Sequence, residues 1–155
     1  MTIIPTTNEI LNKLGGGIPL FVYGTLKRTF HNHRFLENET FISEGKTETP
    51  FLLYKHWGLP YVSNRDGWET HGHQIKGEVY SVRDINAIDR LEGAPHHYHA
   101  HQEIIDMGGM QLPCRIYLDS SKRHEMQLDD CIFTDEWTHE FSESIENDIN
   151  YINIG

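Results

Sequence analysis

The sequence predicts an α+β domain whose sheet is curled or closed. Many short apolar stretches are broken by Gly and Pro at strand-like intervals, and two or three others carry helical spacing next to capping residues. The chain has 155 residues, which suits a single hydrophobic core. With 37% hydrophobic and 23% charged residues it is polar yet able to bury that core, unlike a disordered chain. A formal net charge of −10 argues against a nucleic-acid or anionic-membrane surface and leaves room for a locally positive pocket that takes a small molecule.

Residues 1–18 read as a flexible lead-in closed by Gly15-Gly16-Gly17, and 19–155 as one domain. A buried strand is expected at 19–23. Thr29 is placed to cap a short helix reaching about Leu36, with Phe35 and Leu36 turned inward. Residues 40–62 read as strands interrupted by Gly45, Pro50, Gly58 and Pro60, and 63–73 have loop composition. Ile75 to Val82 alternates as a strand. Asp84 then caps a helix carrying Ile85, Ile88 and Leu91 on one face, stopped by Gly93 and Pro95. His97–Ile105 and Leu112–Leu118 read as two strands joined by a turn at Gly108-Gly109. Trp137, Phe141, Ile145 and Ile149, spaced by four, predict a C-terminal helix with Asp135 and Glu136 in its first turn.

No stretch approaches the roughly 20 apolar residues that span a bilayer, and the first residues lack the pattern of a secretory signal. Cys114 and Cys131 are too few for a disulfide scaffold and lack metal-finger spacing. These features predict a reduced, cytoplasmic protein with no membrane or nucleic-acid partner.

Chemistry concentrates at two places. The stretch Phe21-Val22-Tyr23-Gly24-Thr25-Leu26-Lys27-Arg28 runs from a strand into a glycine turn, which leaves backbone N–H groups converging without partners, a ready anion or oxyanion site. Glu92 falls at the C-terminal end of the 85–91 helix, where the helix dipole and unpaired carbonyls disfavour a negative charge. Partial burial pushes the same way, toward the range of a general base. Position alone leaves open whether Glu92 is such a base or a solvated helix-end carboxylate. Tyr98 and Tyr117 read either as pocket hydroxyls or as core tyrosines with their hydroxyls at the surface. On a strand, His97, His99 and His101 share one side, as do His71 and His73. They read as a solvated face, with a metal site as the alternative. Cys114 lies in a strand pattern with no base nearby in sequence, which argues against a nucleophile.

In chain order, the Tyr23-Gly24-Thr25-Leu26-Lys27-Arg28 turn, Asn32-His33, Gly77-Glu78-Val79-Tyr80, Leu91-Glu92-Gly93, Pro95 and Tyr98 resemble the gamma-glutamylcyclotransferase-like family, and within it the gamma-glutamylamine cyclotransferase and AIG2-like members. The resemblance covers about residues 19–118. It implies a small mixed β-barrel flanked by helices, with no metal and no cofactor. It also implies a small-molecule gamma-glutamyl substrate cyclised to 5-oxoproline, with release of an amine or amino acid. Glu92 matches the family's catalytic acid/base, and Tyr23, Gly24, Thr25 and Leu26 match the turn that grips the glutamyl part and stabilises the oxyanion. Tyr98 and Tyr117 are expected to bind substrate. One departure stands out: Ala100 occupies a position, two residues after Tyr98, where family members often carry arginine. Two rival readings are a non-catalytic small-molecule binding module on the same fold and a His-dependent metallohydrolase built on the His97/His99/His101 face.

Overall fold

The computed structural model describes residues 6–56, 58–64, 71–94, 98–119, 124–125, 132–144 and 152–153. Helix α1 (Thr7–Leu14) leads into strand β1 (Ile18–Val22), and a 3-10 segment over His31–Leu36 precedes β2 (Thr40–Thr47). A hairpin of β3 (Leu52–His56) and β4 (Leu59–Ser63) follows, then β5 (Lys76–Val82) and helix α2 (Ile85–Glu92). Strands β6 (Tyr98–Asp106) and β7 (Gln111–Asp119) form a second hairpin, and β8 (His124–Glu125), α3 (His139–Glu143) and β9 (Ile152–Asn153) complete the chain.

Five of the strands close into a barrel in the order β1-β5-β2-β6-β7. Its neighbours are antiparallel except at the seam, where β7 meets β1 in parallel with Leu20 opposite Arg115. The α+β class and the closed sheet are therefore as the sequence predicts. Alternation along each strand divides the apolar side chains between two cores. Phe21, Ile42, Val79, Ile105, Cys114, Ile116 and Leu118 come from all five barrel strands and fill one of them. On the opposite faces of the same strands, Leu20, Val22, Tyr80, Val82 and Tyr117 pack against Ile88 of α2 and Leu36 of the 3-10 segment. Strand β1 is thus buried on both faces, which is why it reads as a continuous apolar run.

Where the sequence reading has a flexible lead-in, residues 7–14 form a helix. The Thr6 hydroxyl caps it by accepting from the Glu9 N–H, Gly15 ends it in the left-handed region (φ 51°), and Ile10 is fully buried among the barrel side chains. Eight residues with only Ile10 and Leu14 turned to the core give a short periodic signal, so the helix owes its place to docking. Thr29 does not cap the segment after it. It adopts φ 76°, the 3-10 segment starts after Phe30 without a side-chain cap, Leu36 is buried and Phe35 is exposed. The C-terminal helix starts later than expected: Thr138 caps it by accepting from the Phe141 N–H, so Asp135 and Glu136 precede it. Ile145 and Ile149 lie outside the described residues, as do Pro95, His97, Cys131 and most of the loop expected at 63–73. Among the described residues no helix is long and apolar enough to cross a membrane.

Docking of α1 through Ile10 has a measurable consequence. Replacement of this fully buried side chain, Ile10→Ala, is expected to lower unfolding stability by about 2–5 kcal/mol, read by denaturant titration. A change below roughly 0.5 kcal/mol would mean that α1 does not pack as described.

Candidate active site

Strand β1 delivers its last residues to the barrel rim, and the chain then turns sharply through Gly24. A Cβ at residue 24 would lie 2.5 Å from Pro60 Cγ of β4, so only glycine allows this approach. Within the turn, the Lys27 N–H reaches the Gly24 carbonyl at 3.0 Å and the Asn32 N–H reaches the Thr25 carbonyl at 3.0 Å. The Asn32 side-chain amide donates to Thr25 Oγ1 at 2.9 Å, and His33 Nδ1 lies 2.9 Å from the Leu26 carbonyl. No partner among the described residues takes the N–H groups of Gly24, Thr25 and Leu26.

Two charged groups anchor the turn from outside. Glu78 of β5, almost buried, accepts from the Arg28 N–H at 2.9 Å and from Arg28 Nε at 3.2 Å, while the Tyr80 hydroxyl donates to the same carboxylate at 2.9 Å. Glu44 stands opposite Glu78 on β2, and Arg28 spans both carboxylates, offsetting a repulsive cross-strand pair. Lys27, only 7% exposed, donates to the Trp137 carbonyl at 2.7 Å. Burial holds its ammonium below the ordinary lysine range.

Helix α2 brings in the other half. Asp84 caps it by accepting from the Ala87 N–H, and Gly93 terminates it at φ 65°, a conformation that costs glycine little. Two carboxylates three residues apart on this helix meet opposite environments. Burial alone would raise Asp89, but the Tyr117 hydroxyl and the Arg115 guanidinium outweigh it and hold Asp89 below the usual range. Arg115 Nη2 lies 2.8 and 3.0 Å from the two Asp89 oxygens, and the Tyr117 hydroxyl donates to Asp89 as well. The Glu92 carboxyl has no hydrogen bond or ion pair among the described residues, and burial pushes it up to about 7. The residue as a whole keeps partial solvent access, so its unpaired carboxyl sits in a crowded but open place.

The two halves enclose a cavity of about 170 Å³. Every residue that the sequence singled out for the site lines it: Tyr23, Gly24, Thr25, Leu26, Glu92, Tyr98 and Tyr117. Leu59 and Pro60 of the β3–β4 hairpin close one side. The Tyr23 hydroxyl donates to the Tyr117 carbonyl at 2.6 Å and the Tyr98 hydroxyl to the Pro60 carbonyl at 3.0 Å. Burial first, and then charges that include Glu92, keep both phenols protonated far above their ordinary range. The volume is well below the roughly 300 Å³ at which drug-sized ligands are held, so it suits one amino-acid-sized group.

Of the histidine face, His99 and His101 are not among the residues that line this cavity. His99 is half-buried and His101 exposed on β6, and among the described residues no three His, Cys, Asp or Glu side chains converge as a metal would need. Cys114 is fully buried in the barrel, its thiol pushed up to about 12 by burial. Residue-by-residue reading missed Glu78, Asp89 and Arg115. Arg115 is a charged residue inside the apolar run 112–118 and Asp89 stands three residues before Glu92, signals that point to these two but not to Glu78. Ala100 faces Tyr117 across the β6–β7 ladder, and Arg115 stands diagonal to it, so a cation reaches this face from the neighbouring strand.

Residues 20–139 match the family described as gamma-glutamyl cyclotransferase, AIG2-like. The chain is 35% identical over 116 residues to a putative gamma-glutamylcyclotransferase of Drosophila melanogaster, covering 68% of this chain and 72% of that one. It is 28% identical over 132 residues to gamma-glutamylaminecyclotransferase of Bos taurus, covering 78% and 70% respectively. The crystal structure of an AIG2-like protein of Mus musculus superposes with a TM-score of 0.69 over 86% of this chain and 95% of that chain. At 23% identity this likeness speaks for the fold alone.

The raised Glu92 carboxyl makes a prediction about stability. The folded chain holds this proton more tightly than the unfolded chain, whose value is near 4.5, so ionising Glu92 opposes folding. The penalty is absent below about pH 4.5, grows as pH rises, and is complete above about 7. Relative to wild type, Glu92→Gln is therefore expected to gain melting temperature between pH 5 and 8 and to level off above. A difference that stays flat over that range would show that Glu92 titrates as in water.

Proposed function

The chain belongs to the gamma-glutamyl cyclotransferase, AIG2-like family, and from that premise we propose that it releases 5-oxoproline and a free amine or amino acid from a gamma-glutamyl amide. The observation that carries this reading is the Glu92 carboxyl, unpaired among the described residues and poised at about 7, sharing a small cavity with a turn whose Gly24, Thr25 and Leu26 N–H groups likewise have no described partner. A gamma-glutamyl amide carries its own nucleophile. Its α-amine lies a few bonds from the side-chain carbonyl, and holding the two together converts the attack into a favourable ring closure. The protein then needs a proton relay and donors for the developing oxyanion, and no nucleophilic side chain.

Glu92 as a carboxylate takes a proton from the α-ammonium. The amine nitrogen bonds to the δ-carbon, and the carbonyl oxygen becomes an oxyanion that the N–H groups of Gly24, Thr25 and Leu26 can receive. Glu92, now protonated, passes its proton to the amide nitrogen as the bond from the δ-carbon to that nitrogen breaks. The α-ammonium gives up two protons on becoming the lactam N–H, and the departing nitrogen takes up two on leaving as an ammonium. A single carboxylate used as a relay balances the reaction. Tyr23 and Tyr98, protonated and tied to backbone carbonyls, shape the wall beside Glu92.

The test is direct. Purified protein incubated with gamma-glutamyl amines, gamma-glutamyl amino acids and glutathione is expected to release 5-oxoproline, and Glu92→Gln is expected to lose roughly 10²–10⁴ of that rate while remaining folded. Activity should rise with pH and level off above about 7, as the carboxylate form of Glu92 accumulates. Silence of folded wild-type protein across the panel, or full activity in Glu92→Gln, would refute the assignment.

A further inference from the structure

A second cavity of about 370 Å³ adjoins the first and takes no part in the chemistry above. Thr25 lines both, and Gly58 of the second continues directly into Leu59 and Pro60 of the first. Phe30, His31, Trp137, His139 and Ser142 supply most of the remaining wall. The wall is braced. Phe30 and His139 stack with centroids 4.0 Å apart, and Thr29 is held at φ 76° with its hydroxyl 3.0 Å from His139 Nε2. A β-branched residue in that region is strained, and such strain concentrates where ligands bind.

We propose that this cavity receives the departing half of the substrate and prefers a leaving group that carries a carboxylate, as in a gamma-glutamyl amino acid. The inference rests on the cyclotransferase reading and extends it past the glutamyl moiety. Among the described residues no Asp or Glu lines this cavity, in a chain that holds 23 of them. What lines it are donors. Thr25 Oγ1 already accepts from Asn32, which leaves its own proton to give. The indole N–H of Trp137 has no hydrogen-bond partner among the described residues, although the residue is only 1% exposed. Trp137 belongs to the cavity wall, and a buried donor left without a partner is satisfied by any acceptor oxygen that a small shift of the indole lets it meet. His31 adds a third polar group at the mouth. Behind the aromatic walls stands the Lys27 ammonium, bonded to the Trp137 carbonyl and 5.4 Å from the centre of the Phe30 ring. The Phe30 ring is therefore already occupied by a cation, and a second ammonium from a leaving polyamine would meet repulsion where a carboxylate meets attraction.

The matched pair gamma-glutamylphenylalanine and gamma-glutamylphenethylamine differs only in that carboxylate. Calorimetric titration of Glu92→Gln protein, which separates binding from turnover, is expected to show the amino-acid ligand binding roughly tenfold more tightly. The gap is expected to shrink toward unity when His31→Ala or Trp137→Phe is added. Equal affinity for the two ligands, no binding of either, or a gap that neither added substitution narrows would overturn the proposal. Release of 5-oxoproline by wild type reports separately on the reaction. Turnover of both ligands without a carboxylate preference would remove the subsite and leave the reaction, whereas a preference in binding without any 5-oxoproline would remove the reaction and leave the subsite.

Discussion

The buried carboxylate of Glu78 is the constraint on which both cavities depend. It fixes Arg28 twice, through the backbone N–H and through the guanidinium, and so sets the path of the chain after Gly24. Residues of that path line both cavities, with Thr25 common to the two. An anion so placed would be costly unless its oxygens were filled, and here the Tyr80 hydroxyl and the Arg28 groups fill them. Removing the Arg28 side chain would leave Glu78 buried without its counter-charge beside Glu44, so the interaction contributes more through the geometry it enforces than through its own net energy.

Helix α2 divides its labour between two acidic side chains. Asp89 is saturated by Arg115 and Tyr117, which ties the helix to β7 and sets its rotation. Glu92, less than one turn further on, receives nothing from the described protein and is left to respond to whatever enters the cavity. The contrast is one of environment, since the two groups are chemically alike. A rigid, ionised carboxylate holds the helix, and an unpartnered one of raised affinity for protons occupies its end.

What the sequence made legible was local. The strand-to-glycine turn, the Asp84 and Gly93 caps, and the position of Glu92 at a helix end all follow from patterns within a few residues, and the structure brings these residues to one cavity. The closed sheet also followed, from the count and spacing of short strands. What stayed hidden depends on partners far away in the chain. Glu78 meets Arg28 across fifty positions, and Arg115 meets Asp89 across twenty-six, so a local pattern can mark one of these residues but not its partner. The helix at 7–14 forms because Ile10 finds the barrel, and Trp137 acts as wall rather than as part of a helix face because Thr138 starts the helix after it.

The parallel seam between β1 and β7 carries a consequence for synthesis of the chain. Leu20 faces Arg115, so the first barrel strand closes only against the last. At roughly 5–20 residues per second, the ribosome needs on the order of ten seconds to make the stretch between them. Throughout that interval one edge of β1 has no partner, and an open apolar edge is a template for pairing with another chain. Closure of distant strands is also a slow kind of folding step. The same connection that gives the site two rigid halves makes the nascent chain depend on being kept apart from its neighbours until residue 115 has emerged.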